Sequence, residues 1–269
     1  MPRSGVPMSE LDRDIPIERF AEVDSTSLLA RRRIAAGDLG IGPVMLLADR
    51  QTGGLGRFGR SWASPAGGVW ATLVWPVTRD RPGALDGLGL RLAVACAAAI
   101  EHELAALGGL ERVRIKWPND VLIDGKKVLG VLTEVVHHDG RPILLVGVGV
   151  NADFAGRELP TDLRARATTL RDILGRSPNV PRLIDDLHHR LRDAILEEGL
   201  PAGVLAEARA RLFGVGEPAV VRLNRGQGVA GVLVGLNDEG LPILETAGGR
   251  WTAPPGADLA PGPAAASAR

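Results

Sequence analysis

Short apolar runs separated by glycine and polar turns occupy most of the chain, and this pattern predicts strands joined by tight hairpins. Between residues 44 and 150 the predicted strands are 44–48, 69–75, 112–117, 121–123, 128–135 and 142–150. Asp124-Gly125 and Asp139-Gly140 fall between consecutive runs, where Asp-Gly pairs favour two-residue hairpin turns. Consecutive strands joined in this way pair antiparallel, so we expect a mixed, largely antiparallel sheet.

Helical segments lie before, between and after these strands. Residues 90–107 form an unbroken alanine-rich run, which predicts a long helix closed by Gly108-Gly109. Asp24-Ser25-Thr26-Ser27 predicts a helix start, with hydroxyls that cap residues 28–36 and with Gly37 at the end. Three further helices are predicted at 169–174, 182–196 and 202–213. Together with the sheet, these helices indicate an α+β fold.

The pattern changes after Phe213, where four or five short strands predict a small β-barrel. Four of these strands have clear bounds. They occupy 218–223, 228–236, 241–245 and 250–252, with the polar turns Asn224-Arg225-Gly226, Asn237-Asp238-Glu239-Gly240 and Gly248-Gly249 between them. The boundary is expected near Val215. We therefore divide the chain into a flexible start at 1–14, a main domain at 15–214, a barrel at 215–260 and a disordered Pro- and Ala-rich tail at 261–269.

Composition narrows the class of protein. The chain has 269 residues with 32 basic and 32 acidic side chains, so no overall field favours nucleic acid or a membrane surface. Its single cysteine, Cys96, suits a reducing compartment. No apolar run approaches the ~20 residues of a membrane span, and the first ten residues lack the features of a secretory signal. We expect a soluble cytoplasmic protein.

A glycine-rich cluster, Gln-Thr-Gly-Gly-Leu-Gly-Arg-Phe-Gly-Arg-Ser-Trp at 51–62, is the first candidate site. Residues 54–59 match the dinucleotide-binding glycine pattern, but that pattern needs a helix directly afterwards, and residues 60–68 cannot form one. Glycines let backbone amides approach an anion, and Arg57 and Arg60 suit phosphate and carboxylate oxygens. We expect a mobile loop that closes over an anionic ligand; the alternative is an ordinary hairpin with solvated arginines.

Lys-Trp-Pro-Asn-Asp at 116–120 is the second cluster, and the hairpin that follows returns Lys127 and Gly130 to the same neighbourhood. Asn119 and Asp120 could meet magnesium or a ribose. Lys127 could neutralise a carboxylate and an α-phosphate together, which removes the main electrostatic obstacle to forming an acyl-adenylate. Taken singly, Lys127 could be a surface charge and Asp120 a turn residue. Their convergence favours an enzyme that activates a carboxylic acid with ATP.

Other polar residues contribute less to this prediction. In Gly-Val-Gly-Val-Asn at 147–151, glycines within a strand indicate a close neighbour, for which we expect the adenosine. Asn151 would add an amide to the site or simply form a turn at the strand end. The adjacent pairs His137-His138 and His188-His189 lack metal-site spacing, and Cys96 lies inside an apolar helix, where a thiol is a poor nucleophile.

The motifs in this order resemble those of the biotin protein ligases, which attach biotin to a lysine of carboxylase carrier domains. The shared features are a Ser-Thr pair before a helix, a Gly-Arg-Gly-Arg-x-Gly-Arg loop, Lys-Trp-Pro-Asn-Asp, a lysine before an apolar-Gly strand, and Gly-x-Gly-x-Asn. The resemblance covers about 24–151, and the small C-terminal domain is in keeping with it. Two positions depart from the pattern: Leu55 replaces the first loop arginine, and Ser27 replaces the usual asparagine.

The resemblance implies a role for each predicted site residue. Biotin contacts are implied for Ser25, Thr26, Gln51, Gly54, Gly56, Arg57, Lys127 and Gly130. ATP contacts are implied for Arg57, Arg60, Trp62, Asn119, Lys127 and Asn151. Lys127, Arg57 and Asp120 would be catalytic, and Asp120 would also help to place magnesium.

A fold and a reaction follow from the same resemblance. The fold would be the mixed sheet of the biotin and lipoate ligases, related to class II tRNA synthetases, with an SH3-like C-terminal domain. The reaction would use ATP and Mg²⁺ to convert biotin into biotinyl-AMP, which a carrier lysine then attacks. The partner would be a biotin carboxyl carrier protein or domain of acetyl-CoA carboxylase or a related carboxylase. The enzyme would be a monomer or a homodimer.

Two alternatives stay open beside biotin ligation. A lipoate or octanoate ligase or transferase would share the fold, although Lys-Trp-Pro-Asn-Asp favours biotin. A non-catalytic biotin- or nucleotide-binding module is the other, since Leu55 removes one loop charge. Some family members also carry an N-terminal winged-helix domain; about fourteen residues precede the motif region here, too few for such a domain, so we expect no DNA binding.

Overall fold

The computed structural model describes residues 15–39, 42–77, 83–105, 112–223 and 228–262. Four sequence-based expectations lie outside the described residues: the flexible start at 1–14, the pair Gly108-Gly109, the turn Asn224-Arg225-Gly226, and residues 263–269 of the tail. Within the described ranges the chain forms two sheets and five α-helices.

The larger sheet has eight strands and confirms the predicted mixed, largely antiparallel arrangement. Its strands are β1 Ile17–Val23, β2 Val44–Leu55, β3 Ser61–Ser64, β4 Val69–Pro76, β5 Val113–Lys116, β6 Asp120–Ile123, β7 Lys126–His138 and β8 Arg141–Val150. The order is β1-β2-β4-β8-β7-β6-β5, with β3 paired to β2. Strands β1 and β2 run parallel, and the other neighbouring strands are antiparallel.

The Asp-Gly pairs form the two predicted hairpin turns. Asp124 and Gly125 have φ of 50° and 75°, and Asp139 and Gly140 have φ of 49° and 71°. Positive φ at both central positions is typical of a type I′ turn, whose twist matches that of the flanking strands. These turns bring β6, β7 and β8 side by side in sequence order.

Five α-helices cover parts of this sheet, close to the predicted positions. They are α1 Thr26–Ala36, α2 Leu88–Leu104, α3 Leu170–Leu174, α4 Val180–Leu196 and α5 Ala202–Arg211. Helix α3 is capped by the Thr169 side chain, which accepts from the Asp172 N–H at 3.1 Å. Among the helices that the structure describes, none is long and apolar enough to cross a membrane.

The polar start of α1 differs from the prediction in what its hydroxyls do. Ser25 lies at the N-cap position, but its side chain makes no capping hydrogen bond. The hydroxyls of Thr26 and Ser27 instead lie 2.8 Å and 3.0 Å from the Thr72 hydroxyl on β4. Gly37 ends the helix as predicted, with φ of 74°. The predicted cap is therefore a link between helix and sheet.

The two faces of the larger sheet are covered differently, because side chains alternate along each strand. Met45 and Leu47 of β2 belong to the main buried core, which also contains residues of α2 and α4. The alternate residues Val44 and Leu46 pack in a smaller cluster with α1. On β8, Val146, Val148 and Val150 belong to the main core, whereas Gly147 and Gly149 alternate with them and face the other way. The glycines leave room on the α1 side of the sheet.

The smaller sheet follows α5 and has five strands, within the predicted four or five, but the position of its last strand was not predicted. Its strands are β9 Pro218–Arg222, β10 Gly228–Leu236, β11 Pro242–Thr246, β12 Gly249–Thr252 and β13 Asp258–Pro261, in the order β12-β11-β10-β9-β13. The predicted tail at 261–269 begins too early, because Pro261 ends β13 and pairs with Ala219. The SH3-like barrel and the boundary near Val215 stay predictions.

Trp117 of the Lys-Trp-Pro-Asn-Asp motif joins the two sheets. Its indole is 5% exposed and lies in the core of the smaller sheet, with Val221, Leu233 and Leu244. Its Nε1–H donates to the Gly240 carbonyl at 2.9 Å. The motif therefore contributes packing between the sheets as well as polar groups.

Candidate active site

A cleft of about 1120 Å³ lies on the glycine face of the larger sheet and extends to β13 of the smaller one. It is lined by the start of α1, the β2–β3 hairpin, the Lys-Trp-Pro-Asn-Asp turn, β7, β8 and residues 159–167. Every predicted site residue lines it except Gly54. A Cβ at Gly54 would lie 2.5 Å from the Trp62 carbonyl oxygen and 2.6 Å from Ser64 Oγ, so hairpin packing explains this glycine.

One end of the cleft is a closed network of uncharged polar groups. Gln51 Oε1 accepts from the Thr26 N–H at 2.8 Å and from the Thr26 hydroxyl at 3.2 Å. Gln51 Nε2 donates to Ser64 Oγ at 2.8 Å. The hydroxyls of Thr26 and Ser27 meet Thr72, which is fully buried. Such a network presents fixed donors and acceptors without charge, which suits a neutral polar ligand.

The other end is charged and centres on Lys127. Its Nζ lies 2.6 Å from Asp120 Oδ1. A β-bulge at Val128 interrupts the pairing of β6 with β7 next to this lysine. The backbone of Lys127 is also fixed from outside the sheet, because its N–H donates to the Arg166 carbonyl at 2.8 Å and its carbonyl accepts from the Thr168 N–H at 2.9 Å.

The protonation of Lys127 reflects two opposing influences. Burial in the cleft lowers the pKa of Lys127, and the attraction of Asp120 opposes that shift. The positive charges of Lys116 and Arg60 add to the lowering. The lysine side chain is still 30% exposed, which leaves its ammonium accessible to a ligand in the cleft.

Trp62 lies between the neutral and the charged ends. The Lys127 ammonium is 4.7 Å from the centre of its ring, a cation–π contact. A Cβ at Gly130 would be 2.9 Å from this indole, and one at Gly149 would be 2.7 Å from it. The close neighbour of Gly149 is therefore Trp62, whereas a Cβ at Gly147 would lie 3.1 Å from Ser27 Oγ. The expected contact with adenosine stays a prediction. The indole Nε1 is buried and, among the described residues, has no hydrogen-bond partner.

The glycine-rich segment forms a β2–β3 hairpin whose tip is a short 3₁₀ turn at Arg57–Gly59. The segment is thus a hairpin, as in the alternative, and both of its arginines have hydrogen-bond partners, although Arg60 is 59% exposed. Closure of this segment over an anionic ligand stays a prediction. Arg57 donates to Asn119 Oδ1 at 3.2 Å and to the Ala257 carbonyl at 3.0 Å. Arg60 donates to Asp258 Oδ2 at 2.9 Å. The arginines thus link the hairpin to the motif turn and to the smaller sheet.

Leu55 and Phe58 are the apolar side chains at and next to the tip of this hairpin. Phe58 is 58% exposed with φ of 58°, and the guanidinium groups of Arg57 and Arg60 lie 4.7 Å and 5.4 Å from its ring centre. Leu55 lines the cleft at the position where the resemblance expects an arginine. Burial lowers the pKa of Arg57, against the attraction of Asp258 and Asp120.

Asp120 is the predicted magnesium ligand. Among the described residues there is no group of three or more His, Cys, Asp or Glu side chains that could hold a metal ion. Mg²⁺ bound to a nucleotide commonly takes one or two protein carboxylates, with phosphate oxygens and waters as its other ligands. Asp120 in the cleft fits that limited role, and the magnesium assignment stays a prediction.

Asn151 and Cys96 have well-defined surroundings. Asn151 is buried at the cleft wall, and its Nδ2 donates to the Thr168 carbonyl at 3.0 Å. Its contact with a nucleotide stays a prediction. Cys96 is fully buried, and burial raises its pKa to about 12, which agrees with the expectation of an unreactive thiol.

Comparison with known proteins places the chain in a family. The model of the biotin/lipoate A/B protein ligase family matches residues 42–153. A biotin–acetyl-CoA-carboxylase ligase from Mycobacterium tuberculosis is 33% identical over 237 residues, which are 86% of this chain and 84% of that protein. The chain belongs to the biotin protein ligase family. This confirms the resemblance seen in the motifs.

Two further proteins resemble the chain, one in sequence and one in fold. A bifunctional ligase/repressor from Bacillus subtilis is 32% identical over 209 residues, and the chain spans 62% of its length. The Aquifex aeolicus biotin protein ligase, solved in complex with biotin and ATP, superposes with a TM-score of 0.74 at 27% identity. That match covers 92% of this chain and 99% of the Aquifex chain. The predicted mixed α+β fold of the biotin protein ligases is therefore confirmed, and the SH3-like character of the C-terminal part stays a prediction.

The sequence did not predict three residues of the site: Ser64 and Asp258 line the cleft, and Thr72 is fully buried behind the neutral end. Thr72 had a detectable signal, because it is a polar residue inside the apolar strand β4. Ser64 lies just beyond the glycine-rich cluster and pairs with Gln51 across the hairpin. Asp258 had no signal, since it lies on the unpredicted strand β13, 198 residues from its partner Arg60.

Proposed function

We propose that this chain attaches biotin to a lysine of a biotin carboxyl carrier protein or domain, using ATP, in two steps. The observation that carries the proposal is the cleft in which Trp62 separates a neutral hydrogen-bonding network from the Lys127–Asp120 ion pair. Support comes from the relatives, among them the Mycobacterium tuberculosis biotin–acetyl-CoA-carboxylase ligase and the Aquifex aeolicus structure with biotin and ATP.

The neutral end suits the ureido ring of biotin. That ring offers one carbonyl acceptor and two N–H donors, all uncharged, and buried polar groups need matched partners. Ser25, Thr26 and Gln51 supply hydroxyl and amide groups at this end, and the buried Ser25 side chain makes no capping hydrogen bond that would occupy its hydroxyl. Trp62 and the strand glycines then give the acyl chain an apolar wall leading to Lys127.

At the charged end the first step joins two anions. A biotin carboxylate oxygen attacks the α-phosphorus of ATP, the bond from that phosphorus to the bridging oxygen of the β-phosphate breaks, and pyrophosphate leaves. Lys127 lowers the repulsion between the carboxylate and the α-phosphate, because its ammonium can contact both. Asp120 holds that ammonium in place and would help to hold Mg²⁺. When bound, Mg²⁺ neutralises phosphate charge.

The hairpin arginines retain and shield the intermediate. Arg57 and Arg60 present guanidinium groups at the mouth of the cleft, where phosphate oxygens can accept from them in a bidentate manner. Excluding water protects the mixed anhydride until the carrier arrives. In the second step the uncharged amine of the carrier lysine attacks the biotinyl carbonyl, AMP leaves, and the nitrogen loses a proton as the amide forms.

The remaining assignments belong to the same proposal. Residues 15–214 would be the catalytic domain and residues 215–260 an SH3-like domain. The enzyme would act as a monomer or homodimer in the cytoplasm, without nucleic acid or membrane as partners.

Pyrophosphate release tests the proposal directly. The full chain is incubated with ATP and Mg²⁺ and with biotin, lipoate or octanoate in parallel. We expect release with biotin alone of the three acids. Release with lipoate or octanoate would assign the chain to the sister activity, and tight biotin binding without release would identify a binding module.

A further inference from the structure

We infer that Asp258, on the last strand of the smaller sheet, is a positioning residue that holds the β2–β3 hairpin over the cleft through Arg60 and Arg57. The inference rests on the proposed function for its effect on ATP, but its structural part is independent of which acid is activated. Through Asp258 the smaller sheet would help to order the charged end of the cleft, where we expect the phosphates of ATP to bind.

The geometry places one carboxylate against two guanidinium groups. Asp258 Oδ2 accepts from Arg60 at 2.9 Å, and Oδ1 lies 3.6 Å from the nearest Arg57 nitrogen. The Asp258 side chain is 16% exposed, so it is more shielded from solvent than most surface carboxylates. Its backbone is fixed by β13, where Asp258 pairs with Arg222 of β9. The carboxylate that holds the two arginines is therefore carried by a strand of a sheet and not by a loop.

The two arginines depend on Asp258 to different degrees. Arg57 has further partners in Asn119 Oδ1 and the Ala257 carbonyl, which hold it when the carboxylate is removed. Arg60 is 59% exposed, and among the described residues Asp258 is the one side chain to which its guanidinium donates a hydrogen bond. Loss of the carboxylate should release Arg60 and the hairpin tip more than Arg57.

The hairpin tip has little else that fixes it. The tip is closed by Gly56 N–H donating to the Arg60 carbonyl at 2.7 Å and by Arg60 N–H donating to the Arg57 carbonyl at 3.3 Å. Phe58 at its apex is exposed and in a left-handed conformation. An ion pair whose arginine is 59% exposed contributes little to global stability, yet a small displacement of a phosphate-binding arginine costs binding energy. Asp258 should therefore affect nucleotide binding more than folding.

Hydrogen exchange of residues 54–62 tests the structural part in the full chain without substrates. Asp258→Asn should speed exchange in this segment, and Arg60→Gln, which breaks the same pair from the other side, should do the same. Asp238→Asn is the matched control, because Asp238 also lies in the smaller-sheet region and pairs with Arg209 at 2.9 Å, away from the cleft. Unchanged exchange in both Asp258→Asn and Arg60→Gln would overturn the inference.

Kinetics test the functional part. Asp258→Asn should raise KM for ATP about fivefold or more while kcat and KM for biotin change less than about twofold, and Asp258→Glu should restore much of the loss. In the double variant with Arg60→Gln the two effects should not add, since both act through one contact. Additive effects, or an ATP KM equal to wild type, would contradict the inference. If wild type itself releases no pyrophosphate, the proposed function fails, and the exchange experiment still decides the role of Asp258.

Discussion

The two ends of the cleft hold their polar groups in different ways. At the neutral end Thr26, Gln51 and Thr72 satisfy one another through hydrogen bonds of 2.8 to 3.2 Å, and Thr72 is fully buried. At the charged end Lys127 and Arg60 are held by single carboxylates and stay partly exposed. The polar groups of the neutral end are thus bonded to one another in the ligand-free protein, whereas the charged end can exchange a carboxylate partner for a substrate anion.

This difference indicates that the neutral end recognises the acid and that the charged end promotes the reaction. Buried neutral groups discriminate strongly, because a ligand that lacks the matching donor or acceptor leaves them unpaired. Charged groups aimed at developing charge accelerate the reaction. Changes at the neutral end should therefore alter affinity for the acid, and changes at the charged end should alter the rate of adenylate formation.

The largest effect is expected for Lys127→Ala. Without the ammonium, the carboxylate and the α-phosphate repel each other, and kcat for adenylate formation should fall about 10² to 10³-fold. Lys126→Ala is the control, since Lys126 is the exposed neighbour of Lys127 on β7. Single-turnover pyrophosphate release measures both. If the Lys127 variant releases pyrophosphate at the wild-type rate, the charged end does not control the rate of adenylate formation.

Gly149→Ala should disturb the wall between the ends. Its Cβ would lie 2.7 Å from Trp62, so the indole must move, and biotin affinity should fall about tenfold. Gly203→Ala is the matched control, because nothing lies within 4 Å of a Cβ at that position. Calorimetry with biotin gives the affinities. Equal affinities for the two variants would show that Trp62 is not part of the biotin wall.

Thr72→Val removes one hydroxyl from the neutral network at nearly constant size. The hydroxyls of Thr26 and Ser27 would lose a buried partner, and stability should fall by about 1 to 3 kcal/mol. Biotin affinity should fall as well, while kcat changes little. Thr133→Val, at an exposed position on β7, serves as the control for thermal unfolding. A Thr72 variant with altered kcat and unaltered affinity would contradict the division of roles.

The smallest effect is expected in the pH dependence of activity, which reflects the protonation of Lys127. Lys127 must be protonated to act, and burial lowers its pKa, so activity should be lost as pH rises through a value below that of an exposed lysine. Asp120→Asn removes the attraction that opposes this shift, so the alkaline loss should move to still lower pH. The pH profile of kcat/KM measures it. A profile that stays in place or moves to higher pH would count against this account of Lys127.

Local patterns predicted much of this fold, and long-range contacts explain what they missed. The Asp-Gly turns and the alternation of valine with glycine in β8 are visible in adjacent residues, and they fix the strands under the cleft. Strand β1 was not predicted, because its residues are mostly partly or fully exposed and carry little apolar alternation. Strand β13 depends on pairing with β9, about forty residues earlier, which no local pattern encodes.

In the candidate site, too, local motifs were predictable and long-range contacts were not. Motif order identified Lys127, Asp120, Gln51 and the hairpin arginines, and all of them line the cleft. The sequence could not show that the strand glycines accommodate Trp62, because that contact joins β3 to β7 and β8 across the sheet. It also could not pair Arg60 with Asp258.

Transfer to a carrier is the most direct test of the central claim. An apo biotin carboxyl carrier domain is incubated with the full chain, ATP, Mg²⁺ and biotin, and its intact mass is measured with and without ATP. We expect the carrier to gain one biotinyl group on a single lysine, and only when ATP is present. An unchanged carrier mass, under conditions in which a known biotin protein ligase modifies the same domain, would contradict it.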